Sequence, residues 1–282
     1  MMSIGELSLF LFKTFCGLNG LILLVLFALQ RKLVWPVPSI PVDPRTYGAQ
    51  LIVIDKVLGR SNGEKIALAH YPASDRSAPV LVFFHGNGDQ IGAGASFVGR
   101  KFSRAYGYGF LAVEYPTYPL SEGGNISETS AYEAAEAALR YLTEDSGLSV
   151  ARERVIMMGQ SIGTGVALEM ATRGWGKKVV LISPFLSLPK LVGSILPDFI
   201  AWLRFLLLDK FMNSAKITEL DQPICIIHGV RDEIVPHQHG EELAKIGGDK
   251  VQFYSIENAG HNDIFRSDLS LEVLRTVARF IG

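Results

Sequence analysis

One stretch of this chain could make and break an acyl bond. Gly159-Gln160-Ser161-Ile162-Gly163 directly follows the apolar run Val155-Ile156-Met157-Met158 and directly precedes a helical pattern. That is a G-x-S-x-G nucleophile elbow in its strand-turn-helix context. Glycines flank the serine because the turn is tight, and a Cβ at either place would collide with the strand or helix beside it. The pattern alone arises by chance in glycine-rich chains, and this one has 28 glycines. Its position between a strand and a helix is what singles it out.

A serine hydroxyl is a weak nucleophile and needs a base, and the base needs a group that holds its tautomer. Around an elbow of this kind the chain order is nucleophile, acid, histidine. After Ser161 the histidines are His228, His237, His239 and His261. His261 lies in Asn258-Ala259-Gly260-His261-Asn262-Asp263, a loop just after the strand-like Val251 to Ser255, where a sheet edge would present a base. His228 ends the run Ile224-Cys225-Ile226-Ile227 and is expected to support a loop. His237 and His239 flank Gln238 at a helix start, where a solvated helix end is favoured over a metal pair. The acid should follow the preceding strand, in Gly229-Val230-Arg231-Asp232-Glu233, and Asp232 is the candidate. Glu233 is its nearest competitor, while Asp263 reads as a loop-ordering carboxylate.

An oxyanion needs backbone N–H groups aimed at it. Ile162, after the nucleophile, would supply one, and Asn87 in His85-Gly86-Asn87-Gly88-Asp89 the other, in a loop whose glycines let backbone approach a substrate closely. The glycine-rich stretch from Gly86 to Gly99 invites a nucleotide reading. Yet Ile91 and Phe97 occupy the third-glycine positions of G-x-G-x-x-G, and the lysine of a phosphate loop is missing.

These residues must be placed by an alternation of strands and helices. Strands are expected at Gln50 to Lys56, Lys65 to Tyr71, Val80 to Phe84, Phe110 to Glu114, Val155 to Met158, Val179 to Ile182, Ile224 to His228 and Val251 to Ser255. Several are apolar throughout, as strands covered on both faces should be. Helices are expected at Ser96 to Tyr106, Thr129 to Glu144, Ile162 to Arg173, His237 to Lys245 and Asp268 to Phe280. Ser61-Asn62-Gly63 predicts a turn joining the first two strands as a hairpin. The result is an α/β fold, a mostly parallel eight-stranded sheet with helices on both faces.

Charge excludes one class of partner. With 27 Lys+Arg against 28 Asp+Glu there is no basic field to draw nucleic acid. Cys16 and Cys225 predict no disulfide. The mean hydropathy of +0.24 is high for a wet globular surface, and two segments account for it. From Thr14 to Leu29 no residue is charged, which predicts a single-pass anchor within residues 1–32, given length by extension back to Ile4. The alternatives are a cleaved signal peptide and an apolar helix packed on the domain. Arg31 and Lys32 after the run, against Lys13 before it, place the domain on the cytoplasmic side. The sequon Asn125-Ile126-Ser127 reads as a chance match. Four prolines from Pro36 to Pro44 predict an extended spacer over 33–46, with the folded domain at 47–282. The second segment is an insertion at about 186–221, in which Leu191 to Leu208 carries only Asp198 and Arg204. It is either a buried crossover helix or a cap that covers the site and receives an acyl chain.

Residues 33–282 resemble the membrane-anchored α/β-hydrolase-domain (ABHD-type) serine hydrolases, including their depalmitoylase branch and the budding-emergence proteins. The resemblance rests on His85-Gly86-Asn87-Gly88, Gly159 to Thr164, Ser183-Pro184-Phe185, Asp221-Gln222-Pro223 through Ile226 to Pro236, and Gly260-His261-Asn262-Asp263-Ile264. It implies the α/β-hydrolase fold with a small helical cap and the triad Ser161, Asp232 and His261, with no metal or cofactor. The expected substrate is a small-molecule or lipid-acyl ester or thioester, and the expected partner is a membrane. Two departures stand out. A loop that reads Y-x-G-Y-G-x-S in the family is here Tyr115-Pro116-Thr117-Tyr118-Pro119-Leu120-Ser121. The N-terminal cysteine cluster of the depalmitoylase branch is represented by Cys16 alone. The rival readings are a serine peptidase with the same triad and a catalytically inactive scaffold on the same fold.

Overall fold

The computed structural model describes residues 13–14, 20, 24–25, 27–56, 63–144, 147–198, 200–266 and 269–282. Eight strands form one sheet: β1 (Gln50–Asp55), β2 (Lys65–Tyr71), β3 (Val80–Phe84), β4 (Gly109–Val113), β5 (Val155–Gln160), β6 (Lys178–Ile182), β7 (Ile224–Gly229) and β8 (Val251–Ile256). Their spatial order is β1-β2-β4-β3-β5-β6-β7-β8. β1 and β2 pair antiparallel, as do β2 and β4, and every pairing from β4 through β3 to β8 is parallel. The expected hairpin is therefore present, although most of the turn predicted to close it lies outside the described residues.

Alternation along the central strands divides the core in two. Val80, Val82 and Phe84 of β3 join one apolar cluster, under helices α2 (Glu128–Thr143) and α3 (Ile162–Thr172). Leu81 and Phe83 join the other, under α1 (Ser96–Tyr106) and the C-terminal helix Leu269–Ile281. Both faces are covered, so β3 is buried along its whole length. After β3 the chain goes to β4 on one side of it, then crosses to β5 on the other. At such a switch point the loops leaving the carboxyl ends of two neighbouring strands diverge and open a crevice. Here those loops are His85–Asp89, after β3, and Ser161, after β5.

The N-terminal part differs from expectation. Among the described residues no helix is long and apolar enough to cross a membrane, and most of the predicted anchor, Thr14 to Leu29, lies outside them. Its end belongs to a helix over residues 27–34 that packs on the domain. The reason is Gln30, a polar residue closing the apolar run. Its side chain is buried, accepting from Leu208 N (2.7 Å) and donating to Leu206 O (3.3 Å). Nor is the proline-rich stretch a free spacer. Trp35 is 1% exposed, donates its indole N–H to Asp209 Oδ2 (2.9 Å), and packs edge-on to Tyr115 and Tyr118. Further on, Gln90 clasps the backbone of this stretch, accepting from Val42 N and donating to Ile40 O. Pro44, its φ preset, opens a 3-10 helix, Pro44–Tyr47.

His70 on β2 is buried, 3.2 Å from Gln50 Oε1, and burial pushes its pKa down from 6.5 to about 4. The unfolded chain therefore binds a proton in a window where the fold does not. Its contribution is complete above pH 6.5 and is lost as the pH falls toward 4. Thermal melts at pH 7 and 4.5 should show a larger fall in Tm for the wild type than for His70→Gln. Equal falls would mean that His70 is protonated without cost in the fold.

Candidate active site

Ser161 leaves β5 at φ 53° and ψ −122°, in the strained backbone of an elbow. The strain is kept because the surroundings leave no alternative. A Cβ on Gly159 would lie 2.3 Å from Gly163 O, and one on Gly163 would lie 2.0 Å from Phe84 O. Two backbone bonds pin the turn, Ser161 N to Ile182 O (2.9 Å) and Thr164 N to Ser161 O (3.0 Å).

The loops after β7 and β8 bring Asp232 and His261 together. His261 Nδ1 donates to Asp232 Oδ2 at 2.8 Å, and both side chains are buried. With Nδ1 holding that proton, Nε2 is left as the ring's acceptor. Asp232 Oδ1 accepts from Ile234 N (3.0 Å) and Val235 N (2.7 Å). Burial alone would raise its pKa, but hydrogen bonds from His228 and His261 outweigh it, and the carboxyl is held well below the usual carboxylate range. Glu233, the competing acid, is exposed. Asp263 orders its loop, Oδ1 accepting from Gly260 N at 2.7 Å.

Two supporting histidines have clearer roles than their positions in the chain suggested. His228 is fully buried with Nε2 at 2.9 Å from Val235 O and 3.3 Å from Asp232 Oδ2, while Nδ1 has no partner. Its N–H is therefore on Nε2, and the ring ties the loop that carries Asp232 to the carboxylate itself. His239 is not at a solvated helix end but 6% exposed. Leu186 N donates to its Nδ1 (3.3 Å), so its Nε2–H donates to Ser194 Oγ (3.2 Å). It fastens the insertion to helix Gln238–Gly247 because it follows a sheet loop that points back under the insertion. His237, partly buried, contacts Ser255 Oγ at 3.0 Å.

Sequence reasoning missed the support beneath the His85–Asp89 loop. His85 Nδ1–H donates to Gly86 O (2.8 Å), so the contact of Nε2 with Glu114 Oε1 (2.8 Å) also holds a proton. Neither side chain is exposed to solvent. Burial opposes charge on His85, but the Glu114 carboxylate beside it prevails and raises its pKa, while burial raises that of Glu114. Glu114 also accepts from Ile91 N and Tyr115 N. Tyr115 and Tyr118 donate their hydroxyls to His85 O and Asn87 O. An acidic residue and two tyrosines just after a central strand were the available signal.

Asn87 and Ser161 lie between two cavities. One, of about 530 Å³, is lined largely by apolar side chains, among them Ile162, Phe185, Leu188, Leu191, Leu203 and Leu207. The insertion, with helix Leu188–Ile195 and the 3-10 turn Ala201–Leu206, therefore lines the same apolar cavity as Ser161. The other, of about 740 Å³, is more polar and includes Asp89, His261, Asn262 and Arg266. Ser161 and His261 both face this second space.

This sheet order, with an elbow serine at the switch point, defines an α/β hydrolase. Comparison with known proteins agrees. The pattern of the alpha/beta hydrolase family matches residues 81–220. Human alpha/beta hydrolase domain-containing protein 17B is 32% identical over 222 residues, covering 79% of this chain and 73% of that protein. A putative alpha/beta hydrolase of Acanthamoeba polyphaga mimivirus is 28% identical over 247 residues, covering 84% and 89%. In fold, the Pyrococcus furiosus esterase Pf2001 superposes with a TM-score of 0.67 at 15% identity, over 88% of this chain and 97% of that one. The chain belongs to the α/β hydrolase family, in its α/β-hydrolase-domain (ABHD) type.

Proposed function

We propose that this protein is a serine hydrolase of acyl esters or thioesters, working at a membrane surface through Ser161, His261 and Asp232. The observation that carries the reading is the position of Ser161, on a strained elbow between an apolar cavity and a polar one that it shares with His261. An acyl chain fits the first space and the released alcohol or thiol the second. Apolar side chains left exposed around the cap, including Phe205 at 70% and Trp202 at 48%, suit a lipid surface.

In the first half-reaction Ser161 Oγ attacks the carbonyl carbon as its proton passes to His261 Nε2. The tetrahedral oxyanion is held by the N–H groups of Ile162 and Asn87. Gly86 O accepts from His85 and Asp89 N, so the Asn87 N–H of the same trans peptide points the opposite way. Collapse breaks the bond to the leaving group, which takes the proton from His261, and leaves an acyl-serine. Water then attacks the ester, giving its proton to His261, and the acid is released as Ser161 recovers that proton. Asp232 stays ionised throughout and stabilises the transient imidazolium.

The test is covalent. A fluorophosphonate probe should label the protein stoichiometrically, and mass spectrometry should place the adduct on the peptide containing Ser161. Absence of labelling, or an adduct elsewhere, would refute the reading.

A further inference from the structure

The helix over residues 27–34 does more than lead into the domain. Phe27, Gln30, Leu33 and Val34 line the apolar cavity that ends at Ser161, facing the cap across it. Gln30 joins the two sides: one buried amide accepts from Leu208 N and donates to Leu206 O. A short distance along the chain, Trp35 is locked into the core through Asp209, and Asn87 Nδ2 donates to Val34 O at 2.9 Å. The helix is thus held at its end by a buried tryptophan and by the Asn87 amide, and Gln30 latches it to the insertion. A tether would need neither a buried amide bridge nor side chains lining the cavity.

We propose that this helix is the outer wall of the acyl cavity, and that Gln30, by latching it to the cap, sets the length of acyl chain the enzyme prefers. The inference rests on the reading of Ser161 as the nucleophile. Gln30 is a specificity-determining residue without contact to the reacting atoms. Any disturbance passed through Val34 to Asn87 would reach every substrate equally. A lost wall penalises only chains long enough to touch it.

The measurement is the ratio of kcat/KM for p-nitrophenyl decanoate over p-nitrophenyl acetate, using the full chain in mild detergent. Gln30→Ala should lower this ratio at least fivefold, because the wall is free to swing out. Leu33→Trp should do so as well, by crowding the cavity from the mouth, where Leu33 is 67% exposed and a larger ring leaves the fold intact. If Gln30→Ala does not fold, Leu33→Trp decides alone. Ratios within fivefold of wild type would make the helix a tether and overturn the proposal. A second readout is independent of turnover. 11-(Dansylamino)undecanoic acid should bind the Ser161→Ala protein at least fivefold more tightly than the Gln30→Ala/Ser161→Ala protein. If the wild type cleaves neither ester, the catalytic reading fails by itself, and this binding comparison still decides the role of the helix. Unchanged Kd would overturn it.

Discussion

Ser161→Ala should lower kcat/KM on an activated acyl ester by about 10⁴- to 10⁶-fold, the largest loss that any single substitution here can produce. The side chain stands between the two cavities, on an elbow that Gly159 and Gly163 keep tight. Alanine removes the oxygen without disturbing the turn, because the turn is pinned by backbone bonds, Ser161 N to Ile182 O and Thr164 N to Ser161 O. Far-ultraviolet circular dichroism and Tm should therefore stay at wild-type values while turnover falls to what binding and the oxyanion hole provide. A loss of less than tenfold in well-folded protein would show that the nucleophile is some other group.

Asp232→Asn should lower kcat by about 10⁴-fold, and the local hydrogen bonds give the reason. Oδ1 accepts two backbone N–H groups, from Ile234 and Val235, so an asparagine must put its carbonyl oxygen there. Its NH₂ then faces His261 Nδ1, where the carboxylate accepted at 2.8 Å. The ring must present a lone pair at Nδ1 and carry its proton on Nε2, the wrong tautomer to take a proton from serine. The same NH₂ also confronts the His228 N–H, 3.3 Å from the carboxylate in the wild type. Stopped-flow acylation with a p-nitrophenyl ester separates this loss from product release. Near-normal acylation would assign the acid to another residue, with exposed Glu233 the first to examine.

Much of this architecture was legible along the chain because its signals are local. The expected strand Val80 to Phe84 and helix Ser96 to Tyr106 coincide with β3 and α1, and most other elements differ only by a residue or two at their ends. Strands buried on both faces leave uninterrupted apolar runs, and the elbow leaves two glycines around a serine. The N-terminal segment was harder to read for an equally physical reason. Continuous apolarity marks a helix that avoids water and does not specify what covers it, and in the described part of the run Leu24, Val25, Phe27 and Leu29 are exposed. Gln30, which ties the end of this run to the domain, forms its bonds with Leu206 and Leu208, 176 and 178 residues away. The loop after β4 follows the same logic. Thr117 stands where the family pattern has glycine and still takes the left-handed φ of 67°, with the buried rings of Tyr115 and Tyr118 on either side of it.

By itself the sequence determined the strand-helix alternation and, through motif and chain order, the candidates Ser161, Asp232 and His261. Spacing within one element or one turn sets those features, and spacing is visible in a linear chain. The tertiary structure decided which acid meets the histidine, and that the insertion and the helix over residues 27–34 both line the apolar cavity beside Ser161. It also revealed the buried His85–Glu114 pair under the loop that carries Asn87. The bonds behind them, His261 to Asp232, His85 to Glu114 and Leu208 to Gln30, span at least 29 residues of chain, and are made only once the crossovers of the sheet have brought distant loops to one edge.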